Sequence, residues 1–367
     1  MQDSKTNYVL SAHSLIAVMY NNINKNSKIN FDERVPFICM SSIELTPIEP
    51  TTTNIHFGKI ETDEIHGYFR TLNPTSTLTL EEKCMSVVSE DSWEMIRNKY
   101  FNLNHCSLVR MIGIMFINDC EEKFPYSLLY DQTQVVDVSE YIKDCIKQNL
   151  PIKLFFLVDI LTQVTSALRY IHKQEIVHGD MALRNVFIFS NQDNSDNPIV
   201  KLGDYAKFRP SNFDDYLFIN NSEFTDQSGL PRTGLYLPVK WMAPEFIKDI
   251  FKSEDILKNN LCLPQEYIQV HTLSKVPGNY SGDIYSFGIL VWELFHSGKK
   301  PHEEKSISNF IATAMKDYIS PIIVQKNIGS IAKLVMDCTN HDPLKRSTMD
   351  LVVSNVRALS ESFGLKI

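Results

Sequence analysis

Two different patterns of hydrophobic and polar residues divide the chain into an earlier part and a later part. Between about Ile43 and Leu129, short runs alternate apolar and polar residues, for example at Lys59–Glu61 and Tyr126–Leu129. Such alternation is typical of half-buried β-strands. Helical character interrupts these runs once, at Ser92–Leu103. The earlier part is therefore predicted to be a small, strand-rich unit that carries one helix.

The later part changes to the longer period of α-helices. Within Leu154–His172, apolar residues recur at intervals that place them on one face of a helix. They are Leu157, Ile160, Leu161, Val164, Leu168 and Ile171. Residues Phe287–Phe295 are almost continuously apolar, which predicts a helix that is buried on all sides.

The first residues of the chain contain both apolar and polar stretches. An apolar patch at Leu15–Tyr20 precedes an Asn- and Lys-rich run at Asn21–Asn30, which predicts a short helix and then a linker. We therefore divide the chain into an N-terminal extension, residues 1–38, and one domain, residues 39–363. Within that domain the strand-rich part is expected at about 39–130 and the helical part at about 131–363.

Composition narrows the class of protein. With 43% hydrophobic and 22% charged residues in 367, the chain can bury a substantial core. Its net charge of −8 argues against a nucleic-acid or anionic-membrane binder, since both need a basic surface. Seven cysteines without a CxxC pair indicate reduced thiols in an intracellular compartment. The longest apolar stretches fall short of the roughly 20 residues of a membrane-spanning helix, so none is predicted.

One polar run combines residue types that phosphoryl transfer requires. It extends from His178 to Asn185 and follows the predicted amphipathic helix directly. Asp180 offers a carboxylate to orient a hydroxyl nucleophile, and Asn185, five positions later, offers an amide oxygen to a metal ion. Asp204 follows the next strand-like segment, where a carboxylate can bridge Mg²⁺ to phosphates. These residues are the candidate catalytic and metal-binding set.

Three further motifs follow in order: Leu237–Glu245, Ser281–Gly288 and Asp342–Arg346. Together with the run from His178 to Asn185, they resemble the motifs of protein kinases. The first reads like the substrate-binding end of a tyrosine-kinase activation segment. The second is similar to the start of the buried helix whose Asp anchors the catalytic loop. The third looks like the Asp-Pro-x-x-Arg element, whose Arg pairs with the Glu of Ala-Pro-Glu, here Glu245.

The resemblance implies a fold and a subtype. It covers about Ile43 to Phe363 and implies an α+β, two-lobed protein-kinase-like fold. The small β-rich N-lobe would carry one helix, and the larger C-lobe would be mainly helical. Ala182 and Arg184 resemble the Ala-x-Arg-Asn pattern of tyrosine kinases, in which Arg184 would help to position the substrate tyrosine. ATP and Mg²⁺ are the implied cofactors, if nucleotide binding is retained.

The N-lobe departs from the family pattern where phosphates should be held. The best match to the Gly-rich loop, Thr53–Ile60, keeps only Gly58, and branched residues replace the other glycines. Such side chains hinder the approach of backbone N–H groups to phosphate. Ile60 would face the adenine. Val88 stands where a strand Lys is expected, and Lys83 is the nearest candidate for a displaced Lys.

The C-lobe carries smaller departures. Gly179 replaces the Arg that binds a phosphorylated activation loop, and Ala206 replaces a Gly. Phe187 stands where a Leu forms the floor of the adenine pocket, so its ring would partly fill that pocket. His178 and Tyr205 are expected to be core residues without a catalytic role.

These observations leave three functional alternatives. The preferred hypothesis is a tyrosine-kinase-like domain of intracellular signalling that is weak or inactive as an enzyme and acts by binding and allostery. The second is an active protein-tyrosine kinase. The third is a kinase-homology region like that of membrane guanylyl cyclases. The expected partner is a protein, or a protein tyrosine substrate, at a cytoplasmic location or in the intracellular part of a receptor. Tyr216 and Tyr236 are possible phosphorylation sites.

Overall fold

The computed structural model describes a defined set of residues. They are 46–47, 55–61, 66–72, 102–119, 122–130, 135–189, 199–203, 205, 215–220, 234–251, 268–269, 279–316 and 329–365. The described residues form two compact units. The first contains those up to Asn104 together with 109–130. The second contains His105–Leu108 and the described residues from 135 onward.

The first unit contains an antiparallel sheet. Its strands are β1 (Thr46–Pro47), β2 (Ile55–Glu61), β3 (His66–Leu72), β4 (Met111–Asp119) and β5 (Glu122–Tyr130). They lie in the order β1-β2-β3-β5-β4. The strands predicted at Lys59–Glu61 and Tyr126–Leu129 are confirmed. The helix predicted at Ser92–Leu103 lies almost entirely outside the described residues, as does the N-terminal extension.

One irregularity in this sheet has a simple cause. The register between β4 and β5 shifts between Met115 and Phe116, and Phe116 lies opposite Pro125. Proline has no N–H to donate to a strand ladder, so it is tolerated where the ladder is interrupted. The shift therefore allows Pro125 to remain inside a strand.

The second unit is mostly helical, with two small sheets. Its helices are α1 (Val138–Lys147), α2 (Leu154–Lys173), α3 (Pro244–Ile250), α4 (Tyr280–Phe295), α5 (Ile307–Lys316), α6 (Gly329–Cys338) and α7 (Met349–Ser362). One sheet is antiparallel and contains β6 (Val135–Asp137), β7 (Val186–Phe189) and β8 (Ile199–Leu202). The other contains β9 (Leu217–Asn220) between antiparallel β10 (Gly234–Leu237) and parallel β11 (Ile268–Gln269).

Local sequence explains where several helices begin. The Asp137 side chain accepts a hydrogen bond from the Glu140 amide at 2.9 Å and caps α1. Asn279 caps α4 in the same way, since its Oδ1 lies 2.7 Å from the Gly282 amide. Each cap satisfies an N–H group that the first turn of a helix leaves without a partner.

The apolar face predicted for the amphipathic helix α2 is confirmed, with one exception. Five of the six predicted residues are buried, whereas Leu157 is only half-buried. The buried face packs against α7 and β8. Among the described residues, α2 also has the length and apolar composition that would allow a helix to cross a membrane. Core helices share those properties, so this observation is weak evidence for a membrane span.

The helix α4 forms the centre of the second unit. Every residue from Gly282 to Leu294 is buried, which confirms the prediction for Phe287–Phe295 except at its last residue. A Cβ atom at Gly288 would lie 2.8 Å from the Cβ of Cys338 at the end of α6. Glycine therefore permits the close approach of α4 and α6.

Candidate active site

Asp283, in the first turn of α4, anchors the loop that carries the catalytic candidates. Its carboxylate accepts hydrogen bonds from the backbone amides of His178 and Gly179, each at 2.7 Å. His172 Nε2, at the end of α2, lies 2.8 Å from the same carboxylate. Burial favours the neutral acid, but the hydrogen bond and charge of His172 hold the pKa of Asp283 below its usual value. The predicted anchoring role of this Asp is confirmed.

Gly179 has a backbone conformation that favours glycine. Its φ angle is +71°, in the left-handed region, where a Cβ atom costs an L-residue roughly 1–2 kcal/mol. Asp283 binds the amide of Gly179 itself and that of His178 directly before it. Glycine at this position therefore gives the loop its shape without backbone strain, at the place where the family resemblance leads one to expect Arg.

His178 connects this loop to the segment after β8. Its Nε2 donates to the carbonyl oxygen of Gly203 at 2.8 Å, and its Nδ1 accepts from the Asp180 amide at 3.2 Å. Both bonds together require a proton on Nε2. His178 and Tyr205 are both buried, as predicted. His178 therefore has a structural role in holding Asp180.

Asn185 and Asp180 are in direct contact. The side-chain nitrogen of Asn185 donates to the backbone carbonyl of Asp180 at 2.8 Å and to its carboxylate at 2.9 Å. Since both partners are acceptors, the amide nitrogen must face Asp180. The amide oxygen then faces the other way, and it is the atom of this side chain that Mg²⁺ can accept as a ligand. The chemistry of Asn185 thus fits the metal-binding role that the sequence predicts.

Arg184 lies buried between two aromatic rings. The centre of its guanidinium is 4.3 Å from the centroid of the Trp241 ring and 4.7 Å from that of Tyr216. Its Nη2 donates to Asp180 at 2.6 Å. Burial works to lower the pKa of Arg184, but Asp180 and neighbouring acidic groups together raise it above its usual value. The charge of Arg184 is therefore permanent and is directed at Asp180.

The small side chain of Ala182 makes room for this arrangement. Ala182 belongs to a buried cluster with Trp241, Ala243, Tyr285 and Ile289. The indole ring can therefore pack over the loop and still face Arg184. The tyrosine-kinase-like pattern at Ala182 and Arg184 thus has a packing explanation within the second unit.

Glu293 of α4 forms a hydrogen bond with the backbone of the candidate catalytic loop. Its carboxylate accepts a hydrogen bond from the Leu183 amide at 2.9 Å, at the start of the short 3₁₀ turn Leu183–Asn185. The side chain is buried, and this burial raises its pKa to about 7. Glu293 is not among the site residues predicted from the sequence. A single acidic residue inside the continuous apolar run of α4 was the available signal, because a buried carboxylate requires partners.

Replacement of Glu293 should change how stability depends on pH. The folded-state pKa of about 7 lies above the ordinary value of 4.5, so Glu293 contributes stability that is full below pH 4.5 and is lost as the pH rises through 7. In Glu293→Gln this loss is absent. Between pH 4.5 and 8 the variant should therefore gain on the order of 2–3 kcal/mol relative to the natural chain. Urea denaturation at a series of pH values measures this difference.

The exposed Glu361 provides a matched control for that experiment. Glu361→Gln should follow the pH profile of the natural chain. A constant difference between Glu293→Gln and the natural chain across this range would contradict the assignment.

The pairing of Arg346 with Glu245 is confirmed. Nη1 and Nη2 of Arg346 lie 2.8 and 3.0 Å from the two carboxylate oxygens of Glu245 at the start of α3. Nη1 also donates to the Ser281 carbonyl at 2.9 Å. Arg346 thus forms a bidentate ion pair with Glu245, in the segment that carries Trp241, and also contacts Ser281 in the first turn of α4.

Tyr216 contacts the candidate catalytic residues, which the sequence did not indicate. Its hydroxyl donates to the Asp180 carboxylate and accepts from Arg184 Nε at 3.0 Å. Only 7% of Tyr216 is exposed. The sequence predicts Tyr216 as a possible phosphorylation site. In the structure it lies within the candidate site.

The remaining predicted residues have different positions. Phe187 lies in β7 and is 8% exposed. Gly58 and Ile60 lie in β2 of the first unit, opposite Phe69 and Gly67 of β3. The other two, Lys83 and Asp204, lie outside the described residues. The second unit thus brings together Asp180, Arg184 and Asn185.

Comparisons with known proteins agree with this geometry. The chain is similar to the serine/threonine-protein kinase LMTK1 of Mus musculus, with 24% identity over 71% of this chain and 16% of that protein. It is 27% identical to the macrophage colony-stimulating factor 1 receptor of Mus musculus, over 55% of this chain and 16% of the receptor. It is 22% identical to the tyrosine-protein kinase transforming protein Abl of Abelson murine leukemia virus, over 59% of this chain and 22% of that protein.

The chain spans less than a quarter of the length of each of these relatives. The family described as protein tyrosine and serine/threonine kinase matches residues 79–255 and 250–356, which include the loop of Asp180 and the Arg346–Glu245 pair. The chain therefore belongs to the protein tyrosine and serine/threonine kinase family.

Proposed function

We propose that this kinase domain is a tyrosine-kinase-like signalling module with weak or absent phosphoryl transfer, which acts by binding a protein partner and by conformational change. One observation carries the proposal. The carboxylate of Asp180 is engaged by three groups of its own chain: the Tyr216 hydroxyl, the Arg184 guanidinium and the Asn185 amide. A substrate hydroxyl would have to displace the first of these before Asp180 could orient it.

The residues toward the nucleotide also support this proposal. Thr53 and Ile55 stand where a Gly-rich loop would have its first two glycines, and Val88 stands where the strand Lys is expected. Loss of one such electrostatic contact to phosphate costs several kcal/mol of transition-state stabilisation, or roughly three orders of magnitude in rate. Lys83 remains the proposed substitute for the missing Lys.

If nucleotide is bound, each residue has a proposed role. Asn185 and Asp204 would hold Mg²⁺, which neutralises charge on the phosphates. Asp180 would orient the substrate hydroxyl, and Arg184 would help to place the tyrosine ring. The residues proposed to contact ATP are Gly58, Ile60, Lys83 and Phe187.

The same proposal extends to the whole chain. We place a two-lobed kinase domain at residues 39–363, with the N-lobe at about 39–130, the C-lobe at about 131–363 and an extension at residues 1–38. We expect the domain to act in the cytoplasm or as the intracellular part of a receptor. Tyrosine, and not serine or threonine, is the proposed residue recognised in the partner, because Ala182, Arg184 and Trp241 resemble the tyrosine-kinase pattern.

An active protein-tyrosine kinase is the second candidate. Its support is the intact framework of the catalytic loop, which Asp283 holds through two amides at 2.7 Å. Glu245 and Arg346 fix the segment beside it. The same contacts would also hold the loop for phosphoryl transfer from ATP, if a Lys outside the described residues reached the phosphates.

Transfer of labelled phosphate from Mg-ATP distinguishes these candidates. The purified chain is tested on itself and on a tyrosine-containing polymer, beside Asp180→Asn, with a thermal melt to show that both are folded. We expect incorporation no higher than in Asp180→Asn. Incorporation that disappears in Asp180→Asn would replace this proposal with the active enzyme.

A further inference from the structure

We infer that Glu293 is a proton-dependent positioning residue of the candidate site. When its carboxyl group is protonated, it binds the Leu183 amide. When it ionises, it also takes up Arg184 and the Trp241 indole, and the contact between Arg184 and Asp180 becomes weaker. The candidate site thereby responds to pH through a residue of α4. This inference goes beyond the proposed function and does not depend on phosphoryl transfer.

Two buried donors near Glu293 have no hydrogen-bond partner among the described residues. One is Nη1 of Arg184, and the other is Nε1 of the Trp241 indole. The Arg184 side chain is 8% exposed and Trp241 is 1% exposed, so bulk water does not satisfy either donor. A buried donor without an acceptor costs free energy. An ionised carboxylate beside them is a strong acceptor, and Glu293 can provide it.

The charges around Arg184 contain more acids than bases. Three carboxyl groups lie in this buried region, namely those of Asp180, Asp215 and Glu293. Asp180 lies 2.6 Å from Arg184, and Asp215 lies 2.6 Å from Lys300 and 3.9 Å from Arg184. The hydrogen bond of Glu293, in contrast, comes from a neutral amide. Glu293 is therefore the carboxyl group of the three that keeps a proton most readily.

Ionisation of Glu293 occurs near neutral pH. Burial raises the pKa of Glu293 to about 7, and the charge of Asp215 adds to this rise. Arg184 and Trp241 act to lower the same pKa. These groups face Glu293 from the candidate catalytic loop, from the segment before β9 and from the segment before α3. Below pH 7 the neutral acid predominates, and above pH 7 the carboxylate predominates.

The carboxylate form changes how the charge of Arg184 is shared. Nη2 of Arg184 donates to Asp180 and Nε donates to the Tyr216 hydroxyl, which leaves Nη1 for another acceptor. The guanidinium is a rigid, planar group, so a movement of Nη1 toward Glu293 also moves Nη2. The contact with Asp180 is then weaker. Glu293 acts on Asp180 through Arg184 and is for this reason a positioning residue.

NMR of the full chain, labelled with ¹⁵N at tryptophan and arginine, tests the inference across about pH 5 to 9 without nucleotide. The chain has three tryptophans, and Trp241→Phe identifies the indole signal of Trp241. That signal should shift with a midpoint of about pH 7, and the Nε–H signal of Arg184 should shift with the same midpoint. Glu293→Gln keeps an acceptor for the Leu183 amide but cannot ionise, so both shifts should be lost.

His296 provides the control for other groups that titrate near neutral pH. Its ring stacks on Trp292, next to Glu293 in the chain, with 4.3 Å between the ring centroids. His296→Gln should therefore change the Trp292 signal and leave the titration of Trp241 as it is in the natural chain.

Asp215→Asn keeps the inference testable if Glu293→Gln does not fold. It removes a negative charge that raises the pKa of Glu293, so the midpoint should move to lower pH. A midpoint that stays the same or rises would overturn the inference. Absent shifts in the natural chain, different midpoints for Trp241 and Arg184, or equal shifts in folded Glu293→Gln would overturn it too. Since no phosphate is transferred, the result is separate from that of the Mg-ATP test.

Discussion

Asp283→Ala should lower the free energy of unfolding by about 3–5 kcal/mol, the cost of removing one member of a buried, charge-assisted hydrogen-bond set. Asp283 is 1% exposed and accepts from two loop amides and from His172. The alanine side chain would leave these buried donors without their acceptor. Urea denaturation followed by tryptophan fluorescence measures the loss.

The exposed Asp144 in α1 serves as the control. Asp144→Ala should stay within about 0.5 kcal/mol of the natural chain, as surface substitutions usually do. A loss of similar size in both variants would mean that the Asp283 contacts do not hold the loop.

The same replacement has a predicted pH dependence. The pKa of Asp283 is held below its ordinary value of 3.8 in the folded chain, so its contribution is present above pH 3.8 and is lost as the pH falls through the folded-state value. The difference between the natural chain and Asp283→Ala should therefore shrink in acid. This trend is opposite in sign to that expected for Glu293.

The anchoring contacts could be predicted because they lie inside short sequence motifs. Asp283 and Arg346 each stand in a run whose resemblance to a kinase motif implies the partner, and both contacts are present. The helix α2 followed from hydrophobic periodicity over more than three turns, and α4 followed from the almost continuous apolar run Phe287–Phe295. Leu157 deviates because it lies at the first turn of α2, where the predicted face is only half covered.

Contacts without a motif could not be predicted. Tyr216 and Asp180 are 36 residues apart, Asp215 and Lys300 are 85 apart, and Glu293 and Leu183 are 110 apart. In none of these pairs does the sequence around one residue indicate the other. Only tertiary structure brings them together. The charge of Glu293 within an apolar helix signalled that a partner exists, but it did not identify Leu183.

This difference also explains why only part of the site could be predicted from the sequence. The candidate catalytic loop is a continuous segment, so spacing suggests roles for Asp180 and Asn185, and the family resemblance suggests one for Arg184. The occupant of that site comes from another segment of the chain. The sequence indicates Tyr216 only as a possible phosphorylation site, whereas in the structure it is 7% exposed and contacts Asp180. The contact between Tyr216 and Asp180 is therefore the feature of the site that only the tertiary structure reveals.

Arg346→Met should destabilise the chain by about 3–5 kcal/mol, because it removes the partner of a carboxylate that is only 24% exposed and several further hydrogen bonds. The Arg346 side chain is 0% exposed, and its Nε also donates to the Asn340 carbonyl at 3.0 Å. Arg346→Lys should lose less, since a point charge can still reach Glu245 but cannot bind both of its oxygens and the carbonyls together. Chemical denaturation of both variants provides the measurement.

The neighbouring residue, Lys345, provides a control, because Lys345→Met removes one positive charge just as Arg346→Met does. Lys345 is 73% exposed and lies 3.5 Å from Asp342, so Lys345→Met should change stability by no more than about 0.5 kcal/mol. The double variant Glu245→Gln with Arg346→Met should be more stable than the sum of the single losses implies, by about 0.5–3 kcal/mol, because it leaves no charge unpaired. Strict additivity would mean that Arg346 stabilises the chain through its carbonyl contacts and packing. The ion pair would then have no separate role in holding the Trp241 segment against α4.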